Sequence, residues 1–150
     1  MKIISKNRKA YHDYTIAETI EVGVVLMGDE VKSLRAGLVN LTGSFATVTG
    51  GELYLLNCYI GPYSHAYTKS DEHSRRTRKL LVHRRELTKL VVALSRKGMT
   101  LVPLQIYFNE KSRIKIEVGV ARHKSAPDRR EELRERDIKR ETRRELKNME

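Results

Sequence analysis

Two stretches in which apolar and polar residues alternate constrain the fold of this chain more than any other feature. The first covers residues 102–109, and its apolar positions are Val102, Leu104, Ile106 and Phe108. The second covers residues 114–120, and its apolar positions are Ile114, Ile116, Val118 and Val120. A period of two is typical of a strand with one buried face. With the polar residues 109–112 between them, the two stretches predict a β-hairpin, and Pro103 favours a place near a sheet edge.

A second hairpin is predicted around Gly50-Gly51. Residues 44–49 and 52–59 have strand composition, and a two-residue glycine loop suits the tight turns that match strand twist. Residues 15–27 predict one further, long strand, in which Gly23 permits a bend or a bulge. Together these segments supply most of a small β-sheet.

Two helices are predicted between the strands. Asp29 can cap a short helix that stops at Gly37, where a left-handed backbone is easily accommodated. A longer helix is predicted over residues 84–97, with Leu87, Leu90 and Leu94 on one face and Gly98 as its stop. Several strands with two packed helices predict a mainly β fold with flanking helices, and we expect an OB-type β-barrel.

The last 30 residues differ from the rest of the chain, and we therefore expect a barrel domain over residues 1–120 and a tail over 121–150. The tail has too few apolar residues for a core of its own. It does contain opposite charges at helical spacing, as in Glu132 with Arg136. We expect it to be disordered when free and helical when docked on a partner.

The net charge of +11 points to a polyanionic partner. Residues 1–120 contribute +8 of it, and residues 69–85 alone contribute +5. The tail, with 11 basic and 8 acidic residues, is almost balanced. Nucleic acid is therefore the first class of partner to consider.

Sequence motifs of catalysis and metal binding are missing. The five histidines lack zinc-protease spacing, Cys58 alone cannot complete a zinc ribbon or an intramolecular disulfide, and no phosphate-binding loop occurs. We therefore expect no enzyme activity, no metal site and no cofactor. A lone cysteine suits a reducing compartment, and no stretch reaches the roughly 18 apolar residues of a membrane span. We expect a soluble, cytoplasmic monomer without a membrane partner.

One alternative keeps an enzyme open. The acidic side chains could form the metal-binding cluster of a nuclease, although ion pairs with the many Lys and Arg residues explain them more simply. The residues in question are Asp13, Glu18, Glu21, Asp29 and Glu30. A general ribosomal structural protein is a further alternative.

Basic and aromatic residues occur together in two segments. In the long loop of residues 59–79 they are Tyr63, Tyr67, Arg75, Arg76, Arg78 and Lys79, and near the N-terminus they are Lys6, Arg8, Lys9, Tyr11, His12 and Tyr14. Guanidinium groups bind phosphates, and aromatic rings stack on unpaired bases. Both segments are therefore candidates for RNA contact.

Four strings make a family recognisable. They are Asn7-Arg8-Lys9-Ala10 with His12-Asp13-Tyr14, then residues 30–37 (E-V-K-S-L-R-A-G), then Arg78-Lys79-Leu80-Leu81, then residues 98–104 (G-M-T-L-V-P-L). In this order they strongly resemble the SsrA-binding protein (SmpB) family, over nearly the whole chain. The resemblance implies an OB-type barrel and a role in trans-translation. Members bind the tRNA-like domain of transfer-messenger RNA (tmRNA), support its alanylation and deliver it to stalled ribosomes, where the incomplete peptide is tagged. Alanyl-tRNA synthetase and elongation factor Tu are implied as indirect partners.

The resemblance also implies site residues. Glu21, Leu81 and Lys115 match family positions linked to binding of the tRNA-like domain. By pattern alone Glu21 would pair with a neighbouring Arg, Leu81 would belong to the core, and Lys115 would be an exposed strand residue. The other predicted RNA-binding residues are Asn7, Arg8, Lys9, His12, Tyr14, Arg78 and Lys79.

The tail carries an altered form of the family motif for the decoding centre of the small ribosomal subunit. The usual pattern is G-K-K-x-x-D-K-R, and residues 122–130 here read R-H-K-S-A-P-D-R-R. The residues predicted to act at the ribosome are Arg122, Lys124, Asp128, Arg129 and Arg130. Pro127 stands where relatives often have an aromatic residue or His, so docking here is expected to depend on charge.

Overall fold

The computed structural model describes residues 1–63 and 71–148. The strands are β1 Lys2–Lys6, β2 Tyr14–Val24, β3 Val39–Asn40, β4 Phe45–Thr49, β5 Glu52–Leu56, β6 Tyr59–Ile60, β7 Arg78–Leu81, β8 Met99–Phe108 and β9 Ile114–His123. The helices are α1 Arg8–Asp13, α2 Gly28–Arg35, α3 Asp71–Ser74, α4 Arg84–Leu94 and α5 Ala126–Asn148. Within these described parts of the chain, no helix has the length and apolar content needed to cross a membrane.

Six of the strands pair in a closed ring. Going around it, β8 pairs with β4, β4 with β5, β5 with β7, β7 with β2, β2 with β9, and β9 again with β8, all antiparallel. Strand β1 pairs with residues 105–108 of β8, on the same edge as β4 and beyond the residue that pairs with β4. The ring closes the sheet into a barrel, which leaves few unpaired strand edges. The predicted mainly β fold with flanking helices and an OB-type barrel is confirmed.

The barrel core is built from alternate residues of the ring strands. Its fully buried members include Val22, Leu53, Leu55, Leu80, Leu101, Ile106, Ile116 and Val118. Leu34 from α2 and Leu90 from α4 join the same cluster, so both predicted helices pack their apolar faces on the barrel. The chain contains no Trp, and the core is built from aliphatic side chains. Each of them stabilises the fold by about 1.5–3 kcal/mol when fully buried.

The alternation in residues 102–108 does not place all of its apolar residues on one face. The register between β8 and β9 shifts between Pro103 and Gln105. Ile106 faces the barrel core, whereas Val102 and Leu104 pack with Ala10 in a second cluster under α1. A bulge adds one residue to a strand and reverses the side-chain parity beyond it, which a strict period of two cannot represent.

The boundaries of the predicted elements need three corrections. Strand β2 ends at Val24, so Met27 belongs to the start of α2, which begins at Gly28 and not after Asp29. Helix α2 begins at Gly28 because the carboxylate of Glu30, in its first turn, accepts a hydrogen bond from Met27 N at 2.9 Å and so caps the N-terminus of the helix. Helix α4 ends at Leu94, three residues before the predicted end at 97. The stop at Gly37 is confirmed by its φ of 76°.

The hairpin at Gly50-Gly51 is present, but its second strand is shorter than predicted. Both glycines have positive φ, 59° and 76°, as the tight turn requires. Asn57 also has a positive φ, 58°, and turns the chain out of the barrel. Tyr59 consequently pairs with Asn40 in the small sheet of β3 and β6.

The expected boundary between residues 1–120 and 121–150 falls inside β9, which continues to His123. Beyond it the tail is the single helix α5, and all of its described side chains are exposed. The tail is thus helical in this structure, which contains no partner, whereas we expected it to be disordered when free. That the helix depends on a partner remains a prediction.

Candidate nucleic-acid interface

Asn7 is the residue that fixes the basic N-terminal segment to the barrel. Its side chain is buried, and Nδ2 donates to Pro103 O at 2.9 Å, in the stretch of β8 between the residues paired with β1 and with β4. Its Oδ1 accepts from Ala10 N at 3.1 Å and caps α1. Arg8 and Lys9 then lie exposed on the first turn of α1. Asn7 therefore presents these two cations and does not itself reach the surface.

The start of the tail lies against α1. Lys124 N donates to Asp13 O at 2.9 Å, and Lys124 Nζ donates to Tyr11 O at 3.2 Å. The rings of Tyr14 and His123 are in contact, with centroids 4.5 Å apart. The predicted RNA-binding segment of residues 7–14 and the first predicted ribosome-binding residues of the tail thus form one corner of the molecule.

His12, next on α1, is exposed, and its Nδ1 lies 3.0 Å from Asp13 Oδ1. Arg122 is exposed beside this corner, on the end of β9. Arg130 is exposed on α5. The side chains of Asp128 and Arg129, and the whole of Tyr67, lie outside the part of the chain that the structure describes.

Leu81, Gly23 and Lys115 form one row across the outer face of the barrel. Gly23 of β2 pairs with Leu81 of β7 on one side and with Lys115 of β9 on the other. Directly paired residues on neighbouring strands point to the same face of a sheet. Gly23 has no side chain and leaves a gap in the row, which the Leu81 side chain partly covers, so that Gly23 itself is buried.

This row lines a groove of ≈ 640 Å³, which also includes Glu21 and His83 and which we call the Gly23 groove. Leu81 keeps 52% of its surface exposed, so the pattern reading that placed it in the core is wrong. Leu80, its neighbour, is the core residue, because the two alternate on β7. The structure therefore brings together all three residues that the family resemblance singled out.

A second groove of ≈ 440 Å³ lies beside the first and shares Glu21 and Lys115 with it. Tyr107 of β8 lines this second groove, which we call the Tyr107 groove. Its hydroxyl donates a hydrogen bond to Glu21 Oε2. Burial and the hydrogen bond to Glu21 hold the pKa of Tyr107 well above its ordinary value, so it stays a proton donor. The partner found for Glu21 is thus a tyrosine and not the arginine that its sequence context favours.

Arg78 is fully buried and offers no group to a ligand at the surface. Its Nε donates to Glu30 Oε2 at 2.7 Å, and its Nη1 donates to Cys58 O at 2.7 Å. Arg76 donates to the other oxygen of Glu30. Direct RNA contact by Arg78 therefore does not fit this geometry. Arg78 points into the barrel as Leu80 does, because the two residues are two positions apart on β7. The buried Glu30 carboxylate compensates the charge of Arg78.

Lys79, by contrast, is exposed on the outer face. Its Nζ donates to Glu52 Oε1 at 3.1 Å, and Tyr54 OH donates to Glu52 Oε2 at 2.8 Å. Hydrogen bonds from Tyr54 and Lys79 hold the pKa of Glu52 below its ordinary value. An exposed pair of this kind is weak, so Lys79 can exchange Glu52 for a phosphate.

Two cations near the long loop lie over aromatic rings. The Arg75 guanidinium is 5.2 Å from the centroid of Tyr59, and Lys32 Nζ is 6.0 Å from that of Tyr63. Arg75 is exposed, which keeps the guanidinium accessible. The mixture of cations and rings predicted for residues 59–79 is thus realised in those of its residues that the structure describes.

The acidic residues do not assemble into a metal-binding nuclease centre. Among residues 1–63 and 71–148, no group of three or more His, Cys, Asp or Glu side chains converges. Burial disfavours a charged Glu30, yet hydrogen bonds from Arg76 and Met27 N and the charge of Arg78 hold its pKa below the ordinary value. Glu30 is therefore a structural carboxylate.

Two features of the grooves, the positions of Gly23 and of Tyr107, were not predicted from the sequence. Gly23 was interpreted as a bend in β2, but the irregularity of this strand lies between Ile16 and Glu18, and Gly23 instead opens the groove. Tyr107 has the polar parity of its strand, yet it is 4% exposed. A large aromatic residue at a polar position, with a carboxylate predicted on a nearby strand, was the available signal.

Comparison with known proteins settles the family. Residues 4–148 match the model of the SmpB protein family. The chain belongs to the SmpB protein family. Its SmpB relatives include the SsrA-binding protein of Coprothermobacter proteolyticus, 47% identical over 98% of both chains. Another is the SsrA-binding protein of Dinoroseobacter shibae, 51% identical over 97% of this chain and 91% of that protein.

A solved structure, "tmRNA-SmpB: a journey to the center of the bacterial ribosome", contains a similar SmpB fold. The TM-score is 0.69 with 51% identity, over 87% of this chain and 94% of that chain. The fold and the order of elements described above are thus those of an SmpB protein. Family membership was the expectation drawn from the four strings of residues, and it is confirmed.

Proposed function

We propose that this SmpB family member is an RNA-binding adaptor of trans-translation, which binds the tRNA-like domain of tmRNA and delivers it to stalled ribosomes. The observation that carries the proposal is the row of Leu81, Gly23 and Lys115 beside Glu21 on one outer face of the barrel. Relatives with about half of their residues in common are named for binding SsrA RNA. The similar solved structure concerns tmRNA, SmpB and the ribosome.

The Gly23 groove offers three kinds of contact in a small space. Lys115 supplies a cation for a phosphate, and Leu81 supplies an exposed apolar surface for the face of a base or a sugar. Glu21 repels phosphate and accepts hydrogen bonds. It therefore orients the RNA and contributes little to its attraction. The gap at Gly23 lets the Leu81 side chain lie close to the sheet, at the floor of the groove.

The corner around α1 offers a more purely electrostatic contact. Arg8, Lys9 and Arg122 are exposed there, close to the start of the tail. From this corner α5 extends away from the barrel, and we infer that it enters the decoding centre of the small subunit. A helix in that channel stands in for the missing pairing of codon and anticodon.

An adaptor of this kind needs no catalysis of its own. Alanylation of the RNA belongs to alanyl-tRNA synthetase, and delivery to the ribosome involves elongation factor Tu, both acting on the RNA that this protein holds. We infer that one copy of the protein binds one RNA and that it works in the cytoplasm, where ribosomes translate.

Binding of purified protein to the isolated tRNA-like domain tests the proposal. We expect tight binding, weaker binding to an unstructured RNA of the same length, and a log-log salt slope of roughly −0.7 to −0.9 per neutralised phosphate. Lys115→Ala lowers the affinity, whereas Lys97→Ala, which removes the same charge outside the groove, has little effect. Equal affinity for both RNAs, or an unchanged affinity in Lys115→Ala, overturns the proposal.

A further inference from the structure

Two carboxylates face each other across the β2–β9 ladder. Glu21 of β2 is paired directly with Glu117 of β9, so both side chains point to the outer face. Like charges directly opposite each other destabilise a strand pair. The repulsion between Glu21 and Glu117 therefore has to be offset by neighbouring groups that bind the two carboxylates. The net charge of +11 belongs to the chain as a whole and does not by itself fix these two side chains.

Strand β8 supplies one donor to each carboxylate. The Tyr107 hydroxyl donates to Glu21 Oε2, and Gln105 Nε2 donates to Glu117 Oε2 at 3.1 Å. Tyr107 is 4% exposed, so its ring is fixed by packing and its hydroxyl stays in one place. The orientation of the exposed Glu21 carboxylate is thereby set by a buried residue two strands away.

The electrostatics of this spot select the ligand chemistry. Glu21 and Glu117 are negatively charged, whereas Lys115, Lys111 and Arg113 nearby are cations, so phosphate oxygens are directed to the cations and away from Glu21. The free lone pairs of Glu21 accept N–H or O–H donors instead. An exposed nucleotide offers such donors in two places. One is the base, with its exocyclic amines and the ring N–H of guanine or uracil, and the other is the ribose 2′-hydroxyl.

We propose that Tyr107 is a positioning residue, which holds the Glu21 carboxylate ready to accept hydrogen bonds from the donor groups of an exposed nucleotide. The inference rests on the proposed binding of the tRNA-like domain. It assigns a role in RNA recognition to a side chain that makes no contact with RNA itself. Only the Tyr107 hydroxyl is needed to position the Glu21 carboxylate. The ring of Tyr107 is part of the packed surface between β8 and β9.

Tyr107→Phe removes the hydroxyl and keeps the ring. We expect the affinity for the tRNA-like domain to fall about 3- to 10-fold, as for loss of one orienting hydrogen bond to a charged group, with thermal unfolding almost unchanged. The matched control is Tyr54→Phe, which removes a hydroxyl that donates to Glu52 elsewhere on the barrel. That control leaves the affinity unchanged.

A double-mutant cycle separates positioning from a general structural effect. In a Glu21→Ala background, Tyr107→Phe has no further effect on affinity, because the group that it positions is already absent. Additive losses in the two variants overturn the inference. So does wild-type affinity in Tyr107→Phe.

Modified RNAs distinguish the two donors. An abasic nucleotide removes every donor of the base, inosine in place of guanosine removes the N2 amine alone, and 2′-deoxy substitution removes the ribose hydroxyl. We expect one of these changes, at one nucleotide, to weaken binding to the wild-type protein and not to Glu21→Ala. If no position behaves in this way, the inference is wrong. If wild-type protein fails to bind the unmodified domain, the proposed function itself has failed.

Discussion

Arg78 Nη2 lies 2.6 Å from Glu30 Oε2, and neither side chain has any exposed surface. The pair joins α2 to β7, and Arg76, from the segment between α3 and β7, adds a second cation to the same carboxylate. Arg78 also donates to Ser74 O at 3.0 Å at the end of α3. One buried carboxylate therefore fixes the end of the long loop to the body of the protein.

Glu30→Gln tests how far this cluster stabilises the fold. The substitution keeps the shape of the side chain but leaves the buried Arg78 without its counter-charge. Breaking a buried pair in this way lowers the free energy of unfolding by about 3–5 kcal/mol. Urea denaturation followed by circular dichroism measures the change. Glu52→Gln, which breaks the exposed pair with Lys79, is the control and leaves stability almost unchanged.

The same cluster predicts a dependence of stability on pH. The pKa of Glu30 in the folded protein lies below the ordinary value of 4.5, so the unfolded chain takes up this proton first as the pH falls. Stability from Glu30 is therefore fully present above about pH 4.5 and is lost as the pH drops through the folded pKa. The difference in unfolding free energy between wild type and Glu30→Gln should shrink below that pH. A constant difference from pH 6 to 3 contradicts this account.

Gly23→Ala tests the gap in the outer row. A Cβ at this position lies 3.3 Å from Leu81 Cβ, so Leu81 has to move by a few tenths of an ångström. We expect the affinity for the tRNA-like domain to fall about fivefold, which corresponds to roughly 1 kcal/mol. Gly28→Ala is the matched control, because a Cβ there meets nothing within 4 Å. Filter binding measures both, and equal affinities for the two variants contradict the role of the gap.

Two truncations test where the folded body ends. A chain that ends at Ser125 keeps the whole of β9 and the contact of Lys124 with α1, so it should retain its melting temperature and most of its RNA affinity. A chain that ends at Val120 loses the buried Ala121 and the last residues of the β2–β9 ladder. It should melt at a lower temperature. Both should fail in tagging assays, since both lack α5; tagging by the longer one contradicts the role of the tail.

Cys58 offers a probe of barrel opening. Burial raises the pKa of its thiol to about 11, and none of its surface is exposed. The folded protein should therefore not react with a thiol reagent such as DTNB at pH 8. Reaction should begin only in denaturant, at the concentration where circular dichroism reports unfolding. Rapid labelling of the native protein means that this end of the barrel opens locally.

Much of the fold follows from local patterns. The period of two in residues 114–120 and the turn at Gly50-Gly51 are properties of short segments, and both predictions are confirmed. The bulge after Pro103 is different, because it depends on Asn7 and on two neighbouring strands at once. Single-sequence patterns carry no information on such distant contacts.

The site divides in the same way. Glu21, Leu81 and Lys115 could be named because the sequence resembles a family, but their convergence around Gly23 comes from the register of three strands. Arg78 shows the opposite case. A basic residue in a basic segment indicates a surface contact, and only the position of Glu30, 48 residues earlier, reveals that it is buried. Direct roles of the exposed residues in RNA binding remain predictions.

Helix α5 contains 23 residues, which corresponds to a rise of about 35 Å. Lys124, two residues before α5, is hydrogen-bonded to α1, so the helix begins close to the barrel and acts as a spacer between the barrel and the far end of the tail. An RNA bound in the proposed grooves would thereby be separated by the length of this helix from the site at which the end of the tail binds. A change in the length of α5 therefore alters this span even where its charged residues are kept.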